Sequence, residues 1–339
     1  MEYGADGNAW ICNVLLLGIA ADMNEGAPNI AEKFKIKEEI HMNEGLAPIA
    51  LFTYNRPSHT EKTIEALKKN KLARDSVLYI FSDAAKSSKD MENVDEVRKI
   101  LSNIRGFKEI HLIFQKKNKG LAQSIIDGVS QVLQSYNRVI VLEDDLLTSN
   151  VFIEFMNDAL NMYSSQRKVW SISGYQPPIT LPEDYYESVY LSYRGSSWGW
   201  AIWKDRWDTV NWDVESYKKV FLNPIALRKL SRGGNNLIKM LLDCIQGKNF
   251  SWAVRSCCTQ AMQDKYTIYP VKSLVSSIGA DGSGTNFVQQ ENRYDTMVED
   301  DFQYELKKDI NENKEIITTF KHFFDVSITR HIRRKFRHE

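Results

Sequence analysis

The sequence is poor in cysteine, carries no surplus of either charge and holds no apolar run long enough to span a bilayer. Its four cysteines, Cys12, Cys244, Cys257 and Cys258, lack metal-ligand spacing, and the vicinal pair suits neither a zinc site nor an ordinary disulfide framework. That usage points to a reducing, cytoplasmic compartment. Lys plus Arg (44) equals Asp plus Glu (44), so no global field favours an acidic polymer, and no nucleic-acid partner is expected. The one candidate targeting segment, Ala9 to Ala21, is about thirteen residues against the roughly twenty a membrane helix needs. Only Glu2 and Asp6 precede it as charged residues, which excludes the basic start of a secretory signal.

What is present is a globular composition: 339 residues with 43% apolar content can bury one large core or two small ones. Residues 1–46, where Met23-Asn24-Glu25-Gly26 nearly repeats as Met42-Asn43-Glu44-Gly45, read as an N-terminal extension, partly helical. From Ala47 the pattern becomes regular. Strands are expected at Pro48 to Tyr54, Val77 to Phe81, Ile110 to Phe114, Val139 to Leu142 and Val169 to Ser173. Between them lie helices opened by Pro57-Ser58, then Val94 to Ile104, Leu121 to Leu133 and Val151 to Tyr163. This alternation predicts an α/β fold with a mostly parallel, Rossmann-like sheet flanked by helices. Residues 47–165 form one half, 166–290 a mixed second half of the same domain, and 291–339 a charged linker followed by a basic, aromatic segment.

The strongest chemical signal is the run Val139-Ile140-Val141-Leu142, which ends in three carboxylates, Glu143-Asp144-Asp145. Adjacent anions at the end of a buried strand repel one another and lose hydration, so a cation or an array of donors must compensate them. Hard carboxylate oxygens favour Mn2+ or Mg2+ carrying a phosphorylated substrate; a solvated acidic loop is the alternative. Asn55-Arg56, Ser82-Asp83 and Asn118-Lys119-Gly120 end the other early strands on the same rim, where ligands of parallel sheets gather. The Asn118-Lys119-Gly120 turn can offer backbone N–H groups to phosphate or be an ordinary strand-to-helix connection.

Thr53-Tyr54-Asn55-Arg56-Pro57, Ser82-Asp83, Asn118-Lys119-Gly120-Leu121 and Leu142-Glu143-Asp144-Asp145 together resemble nucleotide-sugar glycosyltransferases of the A-type fold. Among these, the sequence looks similar to the Golgi N-acetylglucosaminyltransferase that starts complex N-glycans. The resemblance covers roughly residues 47–290 and implies an inverting enzyme that uses a UDP-sugar, UDP-N-acetylglucosamine or another UDP-hexose. It assigns Asp83 to the uracil ring, Arg56 to the base or diphosphate, Asp145 to the metal, Asp144 to ribose or sugar hydroxyls and Glu143 to the neighbourhood of the donor sugar. Thr53, Asn55, Lys119, Trp198 and Gly199 join the donor site, with Trp198 beneath the sugar, while Tyr193, Arg194 and Trp252 fall on the acceptor side. The implied acceptor is a glycan or a lipid-linked saccharide.

Five of the eight tryptophans lie between 198 and 212, and Trp200, Trp203 and Trp207 recur at helical spacing, which also suits plain core packing. The glycine-rich Asp281-Gly282-Ser283-Gly284-Thr285-Asn286 suits a lid over a diphosphate or a surface turn; similar enzymes often carry His where Asn286 stands. The chain departs from the family pattern at Phe250-Ser251-Trp252-Ala253-Val254-Arg255, because similar inverting enzymes place their general base, an Asp, after the Trp. Ala253 cannot accept a proton. The favoured expectation is a chain whose base has been removed; another carboxylate, first Asp281, or a binding module without turnover are the alternatives. A nucleotidyltransferase is a rival enzyme class. The segment Phe320 to Glu339, with Arg330, Arg333, Arg334, Lys335 and Arg337, reads either as a peripheral helix on an anionic membrane surface or as a capping helix with a solvated basic face.

Overall fold

The computed structural model describes residues 45–282 and 293–326. The N-terminal extension before Gly45, Cys12, Ser283 to Asn286 of the glycine-rich loop and the basic residues Arg330 to Arg337 lie outside the described residues.

The alternation read from the sequence is realised as β1 (Ile49–Thr53), α1 (Pro57–Lys68), β2 (Val77–Ser82), α2 (Met91–Ser102), β3 (Glu109–Phe114), α3 (Leu121–Val132) and β4 (Arg138–Glu143). Helix α1 starts where it does because Pro57 occupies its first turn, a position that needs no N–H donor. Its buried Thr60, Thr63, Ile64 and Leu67 lie on one helical face. Helix α3 starts after Gly120, whose φ of 73° is unfavourable for any residue with a Cβ.

After β4 come β5 (Leu146–Thr148), α4 (Phe152–Met162), β6 (Val169–Ser173), β7 (Val189–Ser192), β8 (Trp200–Trp203), and α5 (Lys204–Trp207). Helices α6 (Pro224–Leu230), α7 (Asn236–Ile245) and α8 (Trp252–Met262) follow, then β9 (Tyr266–Pro270), β10 (Val275–Ser277) and α9 (Lys314–Phe324). Eight strands form one sheet in the order β3-β2-β1-β4-β8-β6-β9-β7. The β3-β2-β1-β4 half is parallel throughout, whereas β8 runs antiparallel to both β4 and β6, and β7 antiparallel to β9. The expected α/β sheet with a mixed second half is therefore present.

The tryptophans correct the sequence reading. Trp200 and Trp203 are the two ends of strand β8 and Trp207 closes the single turn α5, so their spacing crosses a strand-to-helix boundary. All three are buried, with Trp200 stacked on both Trp207 (5.7 Å) and Trp252 (4.7 Å).

Residues 293–313 contain no helix; they run as a strap. Phe302 is buried against Phe155, the Tyr304 hydroxyl donates to Asp158, and Tyr163 donates to the Lys307 carbonyl. Helix α9 then docks Ile316, Phe320 and Phe324 onto Tyr190 and Tyr269. The aromatic half of the C-terminal segment thus caps the domain and does not offer Phe324 to a lipid. Among the described residues no helix is long and apolar enough to cross a membrane, and Cys244, Cys257 and Cys258 are buried and unpaired with one another.

Candidate active site

The sheet order places β1 between β2 and β4: the chain runs from β1 to β2 and β3 on one side, and the connection after β3 returns to β4 on the other side of β1. A crevice opens beyond the carboxyl ends of two such strands, and it is the usual ligand site of open α/β sheets. Here those ends deliver Tyr54-Asn55-Arg56 and Glu143-Asp144-Asp145, with Phe52 in register with Glu143.

Arg56 is the compensating cation. Its guanidinium donates to Asp144 Oδ1 at 2.6 Å and to Asp145 Oδ2 at 2.9 Å. Burial alone would favour loss of the Arg56 proton, but the two carboxylates outweigh it and its pKa ends above its ordinary value. Asp144 is held further by the Tyr54 backbone N–H (3.0 Å), and its carbonyl accepts from Thr63 Oγ1 at 2.9 Å. Burial raises the Asp144 pKa despite Arg56. Glu143 is pushed up from 4.5 to about 8, first by burial and then by Asp145 and Asp144.

A second segment covers this cluster. Strand β10 pairs antiparallel with β5, immediately after the triplet, and the Ile278 N–H donates to the Asp145 carbonyl at 2.8 Å. A Cβ on Gly279 would fall 2.1 Å from Asp145 Oδ2 and 3.1 Å from an Arg56 nitrogen, so only glycine lets this turn lie on the carboxylate. Beyond it, Asp281 Oδ2 sits 3.1 Å from His59 Nε2, which is also 3.3 Å from the Ile278 carbonyl. Sequence reasoning missed His59: a lone histidine in the first turn of a helix carries no signal until the distant turn meets it.

The remaining expected donor residues are distributed unevenly. Asp83 is buried and accepts from the backbone N–H groups of Ala84, Lys119 and Gly120 and from Asn118 Nδ2, so it clasps the 118–120 turn. Lys119 turns its ammonium to Asp127 at 2.7 Å. Asn55 donates to Asp90, and Thr53 is buried at the end of β1. Trp198 is half-buried, edge-on to Tyr175 at 4.7 Å, and Gly199 takes a φ of 56°.

On the expected acceptor side, Arg194 is buried, bonded to Asn236 Oδ1 and stacked over Phe324 at 4.4 Å, which makes it a clamp for α9. Tyr193 donates to Glu312, with Arg232 over its ring at 4.0 Å. Trp252 is buried against Trp200, and half-buried Ala253 lines a small cavity with Trp170, Trp200, Ser196 and Cys257. A separate cavity of about 310 Å3, lined by Tyr217, Val220, Thr259 and Met262, contains none of the rim residues.

Asp144 and Asp145 suit a divalent cation, because their hard oxygens already converge on a positive group. Among the described residues, no group of three or more His, Cys, Asp or Glu side chains is arranged to hold a metal ion. The described residues would therefore supply few of the ligands.

No protein-family model matches the sequence, and no curated protein matches it either. Among solved structures, the chain is similar to the mannosyltransferase PcManGT from Pyrobaculum calidifontis in complex with GDP-Man and Mn2+, at 13% identity over 52% of each chain with a TM-score of 0.31. It is similar to residues 1–349 of S. aureus TarS at 9% identity, over 68% of this chain and 60% of that one, with a TM-score of 0.36. A longer S. aureus TarS structure gives 8% identity over 69% and 37%, with a TM-score of 0.35. The chain thus spans between about a third and three-fifths of the length of these structures. The site's own chemistry carries the functional reading.

Proposed function

We propose that this chain is an inverting glycosyltransferase of the A-type fold that moves a hexose, such as N-acetylglucosamine, from a UDP-sugar to a hydroxyl of a glycan or lipid-linked acceptor. The observation that carries the reading is the Arg56–Asp144–Asp145 cluster, built at the point where strand order reverses and overlain by the Gly279 turn. A departing nucleoside diphosphate gathers negative charge at such a rim. Asp145, with Asp144 beside it, would hold Mn2+ or Mg2+, and that ion would offset the charge while phosphate and water complete its coordination. Arg56 supplies a permanent positive charge within reach of the same place. Asp144 then serves ribose or sugar hydroxyls, Glu143 lies near the donor sugar, and Trp198 offers an aromatic surface to the pyranose. Activity at the cytoplasmic face of a membrane suits a lipid-linked acceptor.

Ala253 favours one second reading, a module that binds sugar nucleotide without transfer. Incubation with UDP-N-acetylglucosamine, UDP-glucose and UDP-galactose should release UDP with at least one donor. Binding of UDP without release would favour the binding module. Pyrophosphate formed from UTP and a sugar phosphate would instead indicate a nucleotidyltransferase.

A further inference from the structure

We infer that the turn Leu222-Asn223-Pro224-Ile225 docks on an anionic lipid bilayer. Its two apolar side chains enter the interface, and Lys219 and Arg228 meet lipid phosphates behind them. The inference is independent of the transferase reading. All four turn residues are exposed, Leu222 at 87% and Ile225 at 69%. Single apolar residues on a surface are ordinary, but here two are held at one apex. The 3-10 stretch Val214–Leu222 buries Tyr217 and Val220, and α6 buries Ala226 and Leu230. Asn223 locks the turn between them. Its Oδ1 accepts from the N–H groups of Ile225 (3.0 Å) and Ala226 (3.2 Å), and its own N–H donates to the Val220 carbonyl at 3.1 Å. Pro224 adds a fixed φ in the first turn of α6. The backbone that buries Val220 and Ala226 therefore turns Leu222 and Ile225 to solvent.

The cations stand where such a tip needs them. In a 3-10 helix residues three apart are aligned, which places Lys219 behind Leu222, about 6 Å along the axis. In an α-helix residues three apart share a face, which places Arg228 behind Ile225, about 4.5 Å along the axis. Both cations are exposed, and neither has an ion-pair partner among the described residues. The turn lies within a stretch, 216–242, that holds six Lys and Arg and no Asp or Glu, in a chain whose charges sum to zero. Lys218 is paired with Glu215, Lys229 and Arg232 with Asp264, and Lys239 with Asp243, which leaves Lys219 and Arg228 for an external anion. Apolar side chains at the apex with cations one turn back match the depth profile of a membrane interface, where hydrocarbon lies beneath phosphate. A second copy of the chain fits less well. Two apolar side chains fall far short of the roughly 800 Å2 that each partner of a stable protein interface buries.

The test uses the full chain and sedimentation with two kinds of vesicle, phosphatidylcholine mixed with phosphatidylglycerol and phosphatidylcholine alone. The mixed vesicles should carry the protein down, and raised salt should weaken that binding. Leu222→Ser combined with Ile225→Ser should lower binding at least about tenfold. Lys219→Ala and Arg228→Ala should each lower it about fivefold on mixed vesicles and leave binding to neutral ones unchanged. Unfolding transitions and calorimetric UDP affinities of all variants should match wild type, since every replaced side chain is exposed. A wild-type chain that stays in solution with mixed vesicles overturns the inference. So does equal binding by the double serine variant, which would move the contact to another surface. A wild-type dimer that this variant dissociates would assign the tip to a second copy and overturn it as well. UDP release is assayed in vesicle-free solution, so failure of the transferase reading and failure of this inference are read separately.

Discussion

At the scale of single residues, the site is organised by one guanidinium shared between two carboxylates, and burial, followed by the charges of Asp145 and Asp144, raises the pKa of a third carboxyl beside them. That third group, Glu143, makes stability depend on pH. Its pKa is raised on folding, so between about 4.5 and about 8 the unfolded chain has released a proton that the folded chain keeps. Stability of the metal-free protein should therefore fall as pH rises through this window. Glu143→Gln removes the titration: thermal unfolding should show the variant gaining on wild type from pH 5 to pH 8, with little difference at pH 4. An equal offset at all pH values would show that Glu143 ionises normally in the fold. The acidic triplet and Arg56 were legible in the sequence because strand-end charges have few roles. The clasp made by Asp83 was not, since its donors come from a turn 35 or more positions away.

At the scale of elements, the decisive feature is a turn pressed onto a strand end. The β5–β10 pairing brings Gly279 against Asp145, and no pattern in either three-residue strand announces that pairing. Gly279→Ala should displace the turn and weaken UDP binding in the presence of Mn2+ by about tenfold, while unfolding shifts little, because the turn lies outside the main core. Unchanged UDP affinity would mean that the turn does not shape the site. Periodicity read the helices and parallel strands well, since each pattern there is continuous. It failed at Trp200, Trp203 and Trp207, where strand β8 passes directly into α5 and a helical spacing arises from two different periods. Helix α9 likewise reads as amphipathic in isolation, yet its apolar face is spent on Tyr190 and Tyr269.

At the scale of the whole molecule, the parallel half supplies the rim and the mixed half supplies its cover, with the 293–313 strap and α9 closing the far side. The parallel pairing of the first four strands follows from alternating β and α segments, whereas their order, which puts β1 beside β4, does not. The strap could not be anticipated either, because its few anchors, Phe302 and Tyr304 among them, are scattered in a charged stretch. The central claim is that the triplet rim binds a nucleoside diphosphate together with a divalent cation. Calorimetric titration of UDP into wild type and Asp145→Asn, each with Mn2+ and with EDTA, tests it most directly. Wild type should bind at least about tenfold more tightly with Mn2+, and Asp145→Asn should lose that gain while its unfolding transition remains intact. Equal UDP affinity in wild type with Mn2+ and with EDTA would contradict the account.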